Sequence, residues 1–230
     1  MAKLSETPGR PFKKGGAAAY VRCFGNEELS MLLSRVQSLI IRSGLELENL
    51  ITKELESSLI QDLDEFLSDQ IMQPGVKVAT KKVIKVAKRV VGNNIEPDFM
   101  VFERTRTAQQ CYVIELKDGH EFDTKSSAKE HTNLVEFLAI NADVLKYYQR
   151  HSKICGFNAN TREEIQQGFK GMIGTEEAMT GREFCDLLRI DYQAIVDIRA
   201  NDRQENLDYL VEHLLNIEAI QSRVNRKLKS

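Results

Sequence analysis

The chain of 230 residues has no tryptophan, 4 prolines and no apolar run near the roughly 20 residues that span a bilayer. So little proline favours regular helices and strands over a Pro-rich scaffold. Its longest apolar runs, such as Leu39-Ile40-Ile41 and Cys111-Tyr112-Val113-Ile114, have the length of core segments. Met1 to Pro8 lacks the apolar stretch of a secretory signal, so a soluble protein retained in the cytoplasm is expected, with no membrane partner. Neither charge dominates: 34 acidic against 32 basic side chains leave −2, which excludes a histone-like polycation and a wholly acidic disordered tail. Cys23, Cys111, Cys155 and Cys185 form no C-x-x-C pair, so no zinc knuckle or disulfide framework is indicated and all four read as reduced core thiols. His120, His131, His151 and His213 show no H-x-x-x-H or H-E-x-x-H spacing, which argues against zinc chemistry. No G-x-x-x-x-G-K-[ST] loop occurs, so no nucleoside triphosphate is expected to take part.

The residues that are present fall into recognisable blocks. Residues 1–25 carry Lys3, Arg10, Lys13, Lys14 and Arg22 against Glu6, with Pro8, Pro11 and Gly15-Gly16 as breakers. This reads as a basic N-terminal arm, either a solubilising tail or an arm that embraces DNA. Between Asn26 and Gln73, leucines and isoleucines recur at three- and four-residue steps, which predicts two helices parted near Gly44. Residues 77–91 hold Lys77, Lys81, Lys82, Lys85, Lys88 and Arg89 with no acid, and their apolar stripe predicts a helix ended by Gly92. Alternation around Val76 to Val78 also fits a strand. Short β-rich runs follow, Asp98–Phe102 and Cys111–Lys117, then a helix over Ser126–Gln149 and a strand at Lys153–Phe157. A polar, Gly-punctuated stretch leads to helices around Glu183–Ile198 and Glu205–Val224. The order of elements implies a mixed α/β fold, a central sheet flanked by helices. One domain is expected over 26–230, with a core at about 77–158 and a helical part at 159–230.

Chemistry concentrates at Pro97-Asp98 and Glu115-Leu116-Lys117. Alternate residues of a strand share a face, so Glu115 and Lys117 project into one site, and Asp98 at the start of the neighbouring strand can supply a second carboxylate. Two carboxylates suit the hard, oxygen-seeking Mg2+ ion. With a lysine beside them, the set suits phosphodiester hydrolysis: the ion acidifies water and screens phosphate charge, and the ammonium steadies the developing oxyanion. A second acid-x-Lys triplet, Asp123-Thr124-Lys125, lies in a polar turn; Glu115, on a rigid strand, is the better placed. The competing reading of Glu115 and Lys117 is an ordinary ion pair on an exposed strand face. Lys81, Lys85, Lys88 and Lys125 are candidate phosphate contacts, and Asn158, Arg162 and Arg182 candidate base readers.

Pro97-Asp98 followed by Glu115-Leu116-Lys117 resembles the PD-(D/E)XK nuclease signature, and the run from Glu115 to Lys125 is similar to the corresponding segment of type II restriction endonucleases. At this length the chain looks most like the SinI-type members, which cut GGWCC. The resemblance implies a restriction-endonuclease-like core, Asp98 and Glu115 as metal ligands, Lys117 as the catalytic lysine, and Mg2+ as cofactor. It also implies double-stranded DNA as substrate and a homodimer that gives each strand its own site. Many members add an acid from a preceding helix, for which Glu48 and Glu54 are both candidates. A repair or recombination nuclease of the same fold, and a non-catalytic DNA-binding protein, are the alternative readings.

Overall fold

A computed structural model describes residues 2–9, 16–68, 73–119 and 124–229, with side chains for all of these except 16–18 and 124–128. The chain divides into two compact units, Glu48–Tyr192 and Met1–Leu47 with Gln193–Ser230.

The Glu48–Tyr192 unit is built on a five-stranded sheet in the order β1 (Gly75–Thr80), β2 (Phe99–Arg104), β3 (Gln109–Lys117), β4 (Gln149–Gly156), β5 (Ala178–Thr180). β1, β2 and β3 form an antiparallel meander; β4 and β5 add in parallel. Parallel neighbours need a crossover, and α5 (Thr124–Ile140) and α6 (Arg162–Gly168) provide the two. Helices flank a mixed sheet, as the block order implied. Met100 and Phe102 of β2 and Cys111 and Val113 of β3 alternate onto one face and pack with Leu134 and Phe137 of α5. Phe99, on the opposite face of β2, meets Phe184 of α7 (Gly181–Leu188), ring centroids 5.6 Å apart.

Several local expectations are corrected. The basic block at 77–91 is not one helix: Val76 and Val78 are buried, Lys77 between them is exposed, and the segment pairs with β2 as a strand. Its helix, α4 (Lys81–Val86), starts after Thr80 and is one turn and a half long. Gly44 does not interrupt α2 (Glu27–Glu54). Open space surrounds it, and one glycine costs a helix only about 1 kcal/mol. The helix after β3 ends at Ile140, eight residues before Tyr148, and β4 begins at Gln149. The stretch at 158–181 holds α6 and β5 rather than loop alone.

The other unit contains α1 (Gly16–Phe24), Glu27–Leu47 of α2, most of α8 (Tyr192–Asn216), and α9 (Glu218–Leu228). Asn26 caps α2 by accepting the Leu29 N–H at 2.8 Å, and Glu27 and Glu28 favour the positive helix end. The predicted pair at 183–198 and 205–224 is instead α7, α8 and α9. Arg189, in the left-handed region at φ 60°, ends α7, and α8 runs unbroken through Arg199, Asp202 and Asn206. Those three polar residues are buried, and this is why no apolar periodicity announced the helix there. Asn206 accepts the Leu4 N–H at 2.6 Å and donates to the Ala2 carbonyl at 2.9 Å, while Lys3 pairs with Glu205 at 2.7 Å. Arg35 of α2 donates to the Thr7 carbonyl at 2.9 Å and to the Tyr209 hydroxyl at 2.6 Å. Leu4 and Thr7 are thereby buried, whereas Arg10, Lys13 and Lys14 of the basic N-terminal stretch lie outside the described residues. Of the cysteines, Cys111, Cys155 and Cys185 are core thiols as expected; Cys23, on α1, is exposed. No helix among the described residues is long and apolar enough to cross a membrane.

Candidate active site

Antiparallel register brings the sequence-predicted residues together. Phe99 of β2 faces Ile114 of β3, so Asp98, one residue before, falls beside Glu115. Counting by twos, Asp98, Met100 and Phe102 share a face with Cys111, Val113, Glu115 and Lys117, the face that α5 covers. The site is thus the polar end of a stripe whose remainder is core.

Asp98 is 4% exposed. A carboxylate so deep needs partners for both oxygens. Its Oδ2 accepts the Leu116 N–H at 2.8 Å and its Oδ1 receives Lys81 Nζ at 3.0 Å. The backbone holds it as well: Asp98 N–H donates to Ile114 O at 3.1 Å, and the Lys81 N–H donates to Asp98 O at 2.8 Å. Lys117 Nζ lies 2.9 Å from Glu115 Oε1 and 2.7 Å from Glu130 Oε1. The peptide after Lys117 is fixed too, because the Phe157 N–H, at the end of β4, donates to Lys117 O at 2.8 Å. Lys81, Glu115 and Glu130 line an open cleft of about 270 Å3 together with Asn94 and Asn133. Asn94 and the preceding Asn93 take left-handed φ values of 65° and 48°, which asparagine tolerates better than most residues, and turn the chain toward Asp98.

The charges interact. Burial first, then the Asp98 charge, pushes the Glu115 carboxyl above its usual range. Burial and Asp98 act in the same way on Glu48, in the last turns of α2. Burial opposes the Lys117 ammonium, yet Glu115 and Glu130 outweigh it and hold its pKa above normal. Of the two candidate additional acids, Glu48 is therefore within electrostatic reach of Asp98 and Glu115, while Glu54 is exposed.

Among the described residues no three ligating side chains converge into a ready-made cage. The donor set still fits Mg2+, which takes one or two carboxylates and completes its shell with water and substrate phosphate. Asp98 and Glu115 offer two such carboxylates side by side at one end of the sheet.

The remaining sequence candidates are placed as follows. Lys85 and Lys88 are exposed on and just after α4; Lys85 reaches Glu96 at 2.8 Å, and the Lys88 and Arg89 backbone amides are held by Asp64. Asn158 donates to Asp118 Oδ1 at 2.8 Å, Arg162 forks onto Glu183 with Nε at 2.9 Å and Nη2 at 2.8 Å, and Arg182 lies over the Tyr192 ring. The Lys125 side chain, Asp123 and His120 lie outside the described residues and side chains. Sequence reading missed Glu130. The signal was present: Glu130 stands four residues before Leu134 and seven before Phe137, an acid on the stripe of α5 that faces the core.

Over 232 aligned residues, 98% of this chain and 99% of the relative, the sequence is 39% identical to the type II restriction enzyme HhaII of Haemophilus parahaemolyticus. No protein-family model matches the chain, and no solved structure matches it.

Proposed function

Because the chain belongs to the family of type II restriction enzymes, we propose that it hydrolyses double-stranded DNA at a short specific site with Mg2+, through a PD-(D/E)XK-type centre. The observation that carries this reading is the convergence of Asp98, Glu115 and Lys117 on one face, at one end of the sheet, beside an open cleft. Asp98 and Glu115 would hold the ion, with Glu48 as the additional acid. Once bound, the ion acidifies water and neutralises charge on the scissile phosphate. Asp98 is kept in its rotamer by the Leu116 amide. Lys117 keeps its charge and its place through Glu115 and Glu130, and its ammonium faces the oxygens on which charge develops during the displacement. Attack by water leaves 5′-phosphate and 3′-hydroxyl ends. A homodimer supplies one such site per strand, matching a two-fold protein to a palindromic target. Lys81, Lys85, Lys88 and Lys125 are proposed phosphate contacts; Asn158, Arg162 and Arg182 are proposed for the DNA-reading part, where their present partners hold them in place.

Plasmid or phage DNA incubated with the purified protein and Mg2+ should yield discrete fragments. The SinI resemblance makes GGWCC the first sequence to compare with the ends read from those fragments. Asp98→Ala and Lys117→Ala should each lower cleavage by about a hundredfold to a thousandfold or more, while binding of the target duplex in Ca2+ persists. Smearing, or a Lys117→Ala enzyme of full activity, would overturn the assignment.

A further inference from the structure

Asp98 and its cation raise a question of occupancy. Leu116 has taken Oδ2, so Oδ1 is the oxygen through which Asp98 meets a positive charge, and in this structure that charge is the Lys81 ammonium, 3.0 Å away. A carboxylate buried to this depth cannot stand unpaired without cost. A divalent ion at Oδ1 would meet the ammonium at close range, and like charges at that distance repel strongly.

The two lysines of the site are held in different ways. Lys117 is shared by two carboxylates, Glu115 and Glu130, and keeps Glu130 when Glu115 is lent to an ion. The Lys81 ion pair is with Asp98, which has 5% of its side chain exposed, whereas the Lys81 side chain is 42% exposed and lines the cleft. Its backbone is fixed by the hydrogen bond that the Lys81 N–H donates to Asp98 O at 2.8 Å, at the junction of β1 and α4. The root is rigid and the four-carbon stem is free to swing.

We infer that Lys81 is the resident counter-ion of Asp98 in the metal-free protein, and that it moves onto a DNA phosphate at the mouth of the cleft when a divalent ion takes Oδ1. The inference rests on the reading of Asp98 as a metal ligand. The exchange conserves favourable charge contacts: Asp98 trades an ammonium for the ion, and the ammonium trades a carboxylate for a phosphate. Metal and DNA then favour one another, because DNA offers Lys81 somewhere to go, while without DNA the lysine competes with the ion. Lys81 is by this account a substrate-contacting residue that also guards the empty site.

Lys81→Met and Lys81→Gln separate these roles, with Ca2+ as the probe because it supports binding without the need for turnover. Calorimetric titration without DNA should show both variants binding Ca2+ at least threefold tighter than the wild type, with a larger Ca2+-induced rise in melting temperature. Their affinity for a duplex containing the mapped cut site, in Ca2+, should fall about tenfold. Lys81→Gln keeps a hydrogen-bond donor for Asp98 and carries the measurement if Lys81→Met folds poorly. Unchanged or weaker Ca2+ binding in a folded variant overturns the exchange alone. A wild type that binds no divalent ion overturns the metal-site reading, and the exchange with it.

Discussion

At Glu115, stability and chemistry pull against each other. Burial and Asp98 raise its carboxyl above the usual 4.5, so the folded chain holds this proton more tightly than the unfolded chain does. Its contribution to stability is therefore full below pH 4.5 and is lost as pH rises through the higher folded value. Glu115→Gln removes the charge, while Lys117 retains Glu130. In metal-free buffer at pH 7 the variant should melt a few degrees above the wild type, and Ca2+ should stabilise it less; a lower melting temperature would show that the Glu115–Lys117 pair outweighs the repulsion. The acid-x-Lys spacing made Glu115 and Lys117 legible, and the Pro-Asp pair made Asp98 legible. Lys81 was legible as a basic residue with no partner specified, because no spacing rule links the end of β1 to a carboxylate 17 residues on.

Elements were legible where one periodicity ruled, as in β2 and β3, and illegible where tertiary contacts overrode it. β1 falls between the two: the Val76-Lys77-Val78 alternation fitted a strand but was outweighed by the apolar stripe that follows it, and the Lys77 of this edge strand reaches the Ser57 carbonyl at 3.0 Å. In α8, Arg199, Asp202 and Asn206 are polar yet buried, so the helix carries no apolar stripe at those positions. By contrast α7 announces its start. Thr180 accepts the Glu183 N–H at 3.2 Å, and Glu183 Oε2 returns to the Thr180 N–H at 2.9 Å, a reciprocal cap that also fixes the partner of Arg162. Thr180→Ala should cost about 1 kcal/mol, lowering the melting temperature by about 2–4 °C for a chain of this size. No shift in a thermal scan would mean the cap is redundant.

For the whole molecule, a net charge of −2 hides local sign. Five acids are tied up by local partners: Asp98, Glu115 and Glu130 hold lysines at the site, Asp62 caps α3 (Leu63–Ser68), and Asp64 holds the Lys88 and Arg89 amides. Lys82, Lys85, Lys88 and Arg89 are left exposed on one segment. Affinity for DNA should fall linearly on a log–log salt plot, and Lys85→Ala and Lys88→Ala should each reduce the slope by about 0.9 if they touch phosphate. An unchanged slope with weaker binding would place them off the DNA. The fold class could be read from block order, but the division of the chain into two units could not, because one unit joins residues from both ends of the sequence through polar contacts that carry no pattern.

That junction has a consequence for how the protein is made. Leu4 and Asn206 are 202 residues apart along the chain. The amide of Leu4 has no Asn206 to donate to until those 202 residues have been added, by which point Glu48–Tyr192 has been synthesised. The unit that holds Asp98, Glu115 and Lys117 can therefore fold before Leu4 meets Asn206.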